Sequence, residues 1–206
     1  MSKTPAKAAG KAPTPNKIAR RPFVAELMGL RKGALVVPGL GSPCWDISAA
    51  GDSTDFLYNW GGMGLAVPTA LGLALAQPNR RVLAITGDGE MMMGIGSLGV
   101  VADQAPKNLG ILVLDNEHFS ETGKQRGLSS QRADLCTVAK GFGIAETMLV
   151  TETGQIKELA NLLFERPGPT FAVAKIAITE DPWSLPEKDG AVIAHRFKAA
   201  LGLAKA

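Results

Sequence analysis

The chain has 206 residues, 46% of them hydrophobic, which suits one domain with a sizeable core rather than two full domains. Its two cysteines, Cys44 and Cys136, exclude a disulfide framework, a CxxC zinc pair and an iron–sulfur ligand set, and they fit a reducing cytoplasm. No apolar run approaches the roughly 18 to 20 residues of a membrane span, and the N-terminus lacks a signal-peptide core, so a cytoplasmic protein without membrane contact is expected.

The formal charge of +3 is concentrated at one end. Met1 to Arg21 carries six cations (Lys3, Lys7, Lys11, Lys17, Arg20, Arg21) and no acid, which leaves the remainder at −3. Rich in Ala, Pro and Lys, residues 1–21 are expected to form a disordered basic tail, followed by one domain over residues 22–206. The body has one Tyr and no basic-aromatic stripe, so no nucleic-acid partner is expected.

In chain order, strand-like apolar runs occur at 34–39 (ALVVPG), 82–86 (VLAIT), 109–115 (LGILVLD), 147–150 (TMLV) and 170–176 (TFAVAKI). They are near-continuous rather than alternating, as in strands buried on both faces of a parallel sheet. Helices are expected between them, at 62–76, 95–105, 133–143 and 154–166, with a last one near 191–203. Pro68 is tolerable only in the first turn of the first of these. Asp134 is a plausible N-cap for the third. Ile156, Leu159 and Leu163 share a face of the fourth. His195 falls outside the apolar face of the last helix and reads as a surface residue. The fold class is α/β, a three-layer sandwich around a mostly parallel sheet of about six strands. Residues 117–132 form the one long irregular stretch. They directly follow a strand, where open parallel sheets place ligands.

Three strand ends are chemically marked: PGLGSPCWD, GDGEMMMGIGS and DNEHFSETGKQ. A dinucleotide fingerprint fails, because Gly87 and Gly89 are followed by Met92, and Gly39 and Gly41 by Cys44, where a third glycine belongs. No GxxxxGK[ST] occurs. Asp88 offers an anionic oxygen, and Asn116, 28 residues later, offers an amide oxygen at the tip of an adjacent strand. Together they suit magnesium, or calcium in its place, shared with substrate phosphates. Gly87 and Gly89 allow backbone to approach a phosphate, and the following helix can point its N-terminus at it. Met91 to Met93 read as core and cofactor wall.

GDG followed at this distance by DN resembles the diphosphate-anchoring motif of thiamine diphosphate (ThDP) enzymes. NWGGMGLAVPTALGLALA (59–76) is similar to the segment that holds the cofactor's aminopyrimidine in that family, and GLGS (39–42) to the loop bordering the diphosphate. The resemblance implies a ThDP-binding fold over about residues 22–203. It implies Asp88, Asn116 and the His118 carbonyl as metal ligands, although the family prefers glycine at position 118. It further implies a cofactor site with Gly39, Gly41, Ser42, Gly61, Gly62, Met63, Gly87, Gly89 and Glu90, where the Gly61 carbonyl and Met63 amide meet the aminopyrimidine and the Met63 side chain supports the bent cofactor. Glu121 is a candidate proton donor and the His118 side chain a candidate catalytic group. Lys124, Arg126 and Arg132 either meet an anionic substrate or form a solvated loop.

The short chain and LDNEHFSETGKQ look most like the beta subunit of sulfopyruvate decarboxylase and the matching part of phosphonopyruvate decarboxylase. In this family the glutamate that activates the cofactor lies on a separate pyrimidine-binding domain of similar size. About 185 ordered residues cannot hold both domains, so an alpha-type partner subunit is expected, in an α2β2 or larger heteromer acting on a 2-oxo acid. An acyloin- or aldehyde-forming lyase or ligase, and a 2-oxo acid oxidoreductase, share the cofactor site and stay open. The lack of clustered cysteines argues against an iron–sulfur cluster on this chain.

Overall fold

The computed structural model describes residues 17–59, 61–179 and 181–203. Five strands, β1 (Leu35–Pro38), β2 (Val82–Gly87), β3 (Leu109–Asp115), β6 (Glu146–Val150) and β7 (Thr170–Lys175), form one sheet in the order β1-β2-β3-β7-β6. Every pairing in it is parallel. The sheet therefore has five strands where about six were expected, and its strands match the five apolar runs. Two further strands, β4 (His118–Phe119) and β5 (Gln125–Arg126), make a separate antiparallel ribbon. It lies within the stretch expected to be irregular, which also contains two turns of 3-10 helix, at 120–122 and 128–130.

The strands are apolar throughout because helices cover both faces. Leu83 and Ile85 of β2, Leu112 and Leu114 of β3, and Ala172 and Ala174 of β7 pack into one core, with α1 (Arg20–Gly29), α2 (Ser42–Ala49) and α7 (Ile156–Ala160). Their alternating neighbours, Val82 and Ala84, Ile111 and Val113, Phe171 and Val173, pack into the other, with α3 (Ala66–Ala76), α5 (Ser97–Gln104) and α6 (Leu135–Phe142). The result is the three-layer arrangement that the apolar runs imply. A short helix, α4 (Asp88–Met93), begins directly where β2 ends. At the other end of the chain, α8 (Gly190–Ala200) puts Ile193 in one core and Phe197 in the other, while His195 is exposed.

Several local expectations hold. Pro68 is the third residue of α3, inside its first turn. Asp134 caps α6 by accepting from the Thr137 amide at 3.1 Å. Ile156, Leu159 and Leu163 are all buried, but the helix they share changes to π geometry over Asn161–Glu165.

The boundary of the tail is corrected. Residues 1–16 lie outside the described residues, but Ile18 bridges Ile176 and is buried, Lys17 pairs with Glu117 at 2.9 Å, and α1 starts at Arg20. Arg20 and Arg21, counted with the tail on charge alone, both pair with the buried Asp46. Their charges are fixed within the fold rather than spread along a solvated tail.

Candidate functional site

The register of the sheet brings the marked strand ends together. Gly87 pairs with Leu114 across β2 and β3, and Asp115 pairs with Lys175 across β3 and β7. Around these ends lies a cavity of about 270 Å³. Asp88, Glu90, Asn116, His118 and Glu121 line it, with Ser42, Met63, Gly87 and Gly89. Gly39 and Gly41 flank Leu40, another lining residue, while Gly61 and Gly62 lead to Met63 without lining the cavity themselves.

Asp88 is the first residue of α4 and is 4% exposed. Ser129 Oγ lies 2.8 Å from Asp88 Oδ2 and 2.8 Å from Asp115 Oδ1. One hydroxyl carries one proton, so it donates to only one of these carboxylates. Asp115 has a cation of its own, Lys175 Nζ at 2.5 Å, whereas Asp88 makes no ion pair among the described residues. Burial and the adjacent charge of Asp115 push the Asp88 carboxyl up to about 6. A buried carboxylate beside a second one, with no cation of its own, is the charge environment that a bound cation relieves.

Asn116 reaches the cavity through a tight double turn. The Glu117 amide donates to Asp115 Oδ1 at 2.9 Å and the His118 amide to Asn116 Oδ1 at 2.8 Å, while Glu117 adopts a left-handed φ of 67°. That conformation disfavours a residue with a Cβ. It is held by the Glu117 carboxylate, which bonds Lys17 at 2.9 Å and Lys175 at 3.0 Å. Asn116 Nδ2 donates to Ser120 Oγ at 2.8 Å, which fixes the amide with its oxygen toward the turn. The oxygen keeps a second lone pair. His118 Nδ1 sits 3.0 Å from the Asn116 carbonyl, so its ring is turned back onto the chain.

The loop after β3 then folds over the other strand ends. The Phe119 ring covers Gly89 so closely that a Cβ there would meet Cε1 at 2.7 Å, with Met63 Cε at 3.7 Å. Glu121 lies against Gly41, whose φ is 81°; a Cβ there would stand 2.9 Å from Glu121 Oε1. Partial burial raises the Glu121 carboxyl above its ordinary pKa, while Arg20 opposes the shift.

The reading of the methionines holds in part: Met91 is in the core and Met92 packs against it, but none of Met91, Met92 and Met93 lines the cavity, and Met93 is 68% exposed. Helix geometry turns these side chains away from the strand end, and Phe119 and Met63 form the apolar wall instead. Lys124, Arg126 and Arg132 are exposed and do not line the cavity. The site also includes residues that sequence reasoning did not single out: Phe119, Ser129, Asp115 and Lys175. Among the described residues there is no group of three His, Cys, Asp or Glu able to hold a metal, so a cation here needs amide, carbonyl or phosphate oxygens beside Asp88.

Residues 47–174 match the family profile described as "Thiamine pyrophosphate enzyme, C-terminal TPP binding domain". This chain belongs to that family. Thiamine pyrophosphate is ThDP, and the match runs from within α2 to the next-to-last residue of β7, including the ends of β2 and β3 but not those of β1 and β7. The chain is 32% identical over 174 residues to the sulfopyruvate decarboxylase subunit beta of Methanothermobacter thermautotrophicus, covering 84% of this chain and 90% of that one. It is 34% identical over 174 residues to the phosphonopyruvate decarboxylase of Streptomyces viridochromogenes, of which it spans 43%. An X-ray structure from Mycobacterium smegmatis, described as a thiamin diphosphate-dependent enzyme, shares the fold with a TM-score of 0.67 at 22% identity. That likeness covers 79% of this chain and 32% of the other. Among the described residues no helix is long and apolar enough to cross a membrane.

Proposed function

We propose that this chain is the diphosphate-binding, beta-type subunit of a heteromeric 2-oxo acid decarboxylase that uses ThDP and Mg2+. The observation that carries the reading is Asp88: a buried carboxylate, without an ion pair among the described residues, at the floor of a cavity built from three strand ends. Asp88, the Asn116 side chain and the His118 carbonyl would hold the metal. Gly87 and Gly89 at the start of α4 would face the diphosphate, beside the loop of Gly39, Gly41 and Ser42. Gly61, Gly62 and Met63 would hold the aminopyrimidine. Bound there, ThDP supplies the electron sink for loss of CO2 from a 2-oxo acid.

The chain's own residues do the rest. Phe119 and Met63 form an apolar wall that keeps water from the reacting face. Glu121, at the cavity mouth with a raised pKa, is placed to hand a proton to the product side. The His118 ring lines the cavity and is held through Nδ1 at the Asn116 carbonyl, which leaves Nε2 as a second candidate for proton transfer.

Two observations support an alpha-type partner. The relatives from three methanogens are named subunit beta, whereas the phosphonopyruvate decarboxylase, more than twice as long as the matched part, carries that part within one chain. On this chain Met63, Leu65 and Met93 are 40%, 51% and 68% exposed beside the contact between Gly64 and Gly94, at the cavity's edge. An apolar rim of that kind suits burial by another subunit.

The test is to co-express the chain with a pyrimidine-binding chain and follow CO2 release from pyruvate, sulfopyruvate and phosphonopyruvate with ThDP and Mg2+. The expected result is CO2 release by the pair and none by either chain alone. Turnover by this chain alone refutes the division of labour. Acyloin formation from aldehydes, with no decarboxylation of any 2-oxo acid, refutes the reaction class.

A further inference from the structure

The sheet continues past the end of β6 with a piece of the N-terminal segment. β6 ends at Val150, opposite Ala174 of β7. Farther along the edge of β7 that faces away from β3, Ile18 takes its place. It bridges Ile176 in parallel, its amide donates to the Lys175 carbonyl at 3.1 Å, and its carbonyl accepts from the Ala177 amide at 2.8 Å. Ile18 is 3% exposed, so apolar burial and two backbone bonds fix this point of the chain.

From that fixed point the Lys17 side chain reaches the turn that carries Asn116. Its Nζ lies 2.9 Å from Glu117 Oε2 and 3.4 Å from the Asn116 carbonyl oxygen. Lys175 Nζ meets the other carboxylate oxygen, Glu117 Oε1, at 3.0 Å. Glu117 is thus held from two sides, by the N-terminal segment and by β7. The side chains of Lys17 and Glu117 are 18% and 16% exposed, so water screens their pair only in part. The turn needs such a hold, because Glu117 has a φ of 67°, which a residue with a Cβ adopts only against steric resistance. Were Glu117 to relax, Asn116 Oδ1 would lose the bond from the His118 amide that sets its direction.

We propose that Lys17 is a positioning residue: anchored by Ile18 beside β7, it holds Glu117 in its left-handed conformation and so keeps the Asn116 side chain set for a divalent cation. The tie itself needs no ligand, whereas its effect on the cation rests on the ThDP reading.

The test compares wild type with Lys17→Met, Lys17→Arg, Glu117→Gly and the double variant Lys17→Met with Glu117→Gly. Amide hydrogen exchange is measured without cofactor, and ThDP binding with Mg2+ by calorimetry. In Lys17→Met the amides of residues 117 and 118 should exchange about fivefold faster or more, while those of α6 keep their rates. ThDP should bind about tenfold more weakly. Lys17→Arg keeps a charged donor and should stay within about twofold of wild type. Glycine takes a positive φ without strain, so Lys17→Met should add little to Glu117→Gly in either measurement. If Lys17→Met loses its fold, Glu117→Gln, which weakens the same tie from its other end, decides by the same readings. Wild-type exchange at residues 117 and 118 in the folded variant overturns the proposal, as does faster exchange throughout the fold. Wild-type ThDP affinity in Lys17→Met, or an undiminished effect in the glycine background, overturns it as well. Local acceleration in a chain whose wild type binds no ThDP, alone or with a pyrimidine-binding chain, upholds the tie and refutes the cofactor reading.

Discussion

Replacing Asp88 with Asn should make the metal-free protein more stable while removing its cofactor site. In the folded chain the Asp88 carboxyl is raised from 3.8 to about 6, first by burial and then by Asp115. The group is 4% exposed, so solvent does little to screen it. A shift of about 2 units corresponds to about 3 kcal/mol at a pH where the group is ionised in both states. Because the folded pKa is raised, the group favours folding below pH 4, where it is protonated in both states. That advantage disappears as pH rises through about 6. Asn is neutral at every pH and retains an oxygen able to accept from Ser129. The variant should therefore gain up to about 3 kcal/mol over wild type above pH 6 in EDTA, which is about 6 to 12 °C in Tm for a chain of this size. The gain should vanish near pH 4.

Thermal melts at several pH values, with and without Mg2+ and ThDP, measure both effects. Wild type should gain stability from the ligands by mass action and Asp88→Asn should not. If Asp88→Asn is equal to or less stable than wild type in EDTA at pH 7.5, the buried charge is not under the strain argued here. If the variant gains as much as wild type from Mg2+ and ThDP, Asp88 does not anchor them.

Lys175→Ala leaves Asp115 buried without its cation and should cost about 3 to 5 kcal/mol in denaturant melts; adding Asp115→Asn should recover part of that loss, because the residues form one network. In the metal-free chain Gly89→Ala forces the Phe119 ring to shift and should cost about 1 to 3 kcal/mol. Gly87→Ala, with open space and a φ of −87°, should change stability by less than about 0.5 kcal/mol. Burial pushes the Cys44 thiol up to about 12 and the Cys136 thiol to about 11, so neither should react with an aromatic disulfide probe at pH 8 until the chain is unfolded, when both should. Met93→Asp, at a residue 68% exposed, should leave the melt of this chain unchanged and weaken its association with the proposed alpha-type subunit in a binding titration.

The parts of the fold legible in the sequence are those whose cause is local. Near-continuous apolar runs mark β2, β3 and β7 because both faces of each strand are covered, and the Asp134 cap and the position of Pro68 in α3 follow from one turn of chain. The start of α1 was hidden because Arg20 and Arg21 look like tail charges until Asp46, more than 20 residues later, folds back to meet them. The ribbon of β4 and β5 was hidden because two-residue strands have no periodicity to read.

The same division runs through the site. Asp88 and Asn116 could be found from spacing, since a strand, a crossover and the next strand in register bring their ends side by side. Ser129, Asp115 and Lys175 could not, because they meet only through the pairing of β3 with β7 and the return of the loop to residue 129. What the sequence missed is thus the layer that holds Asp88 in place. Lys175 pairs with Asp115, and the Ser129 hydroxyl lies within 2.8 Å of both carboxylates, so the proton affinity of Asp88 depends on a cation at the end of another strand. The spacing motif identifies the proposed anchor, Asp88, but β7 sets how strongly its carboxylate favours a cation.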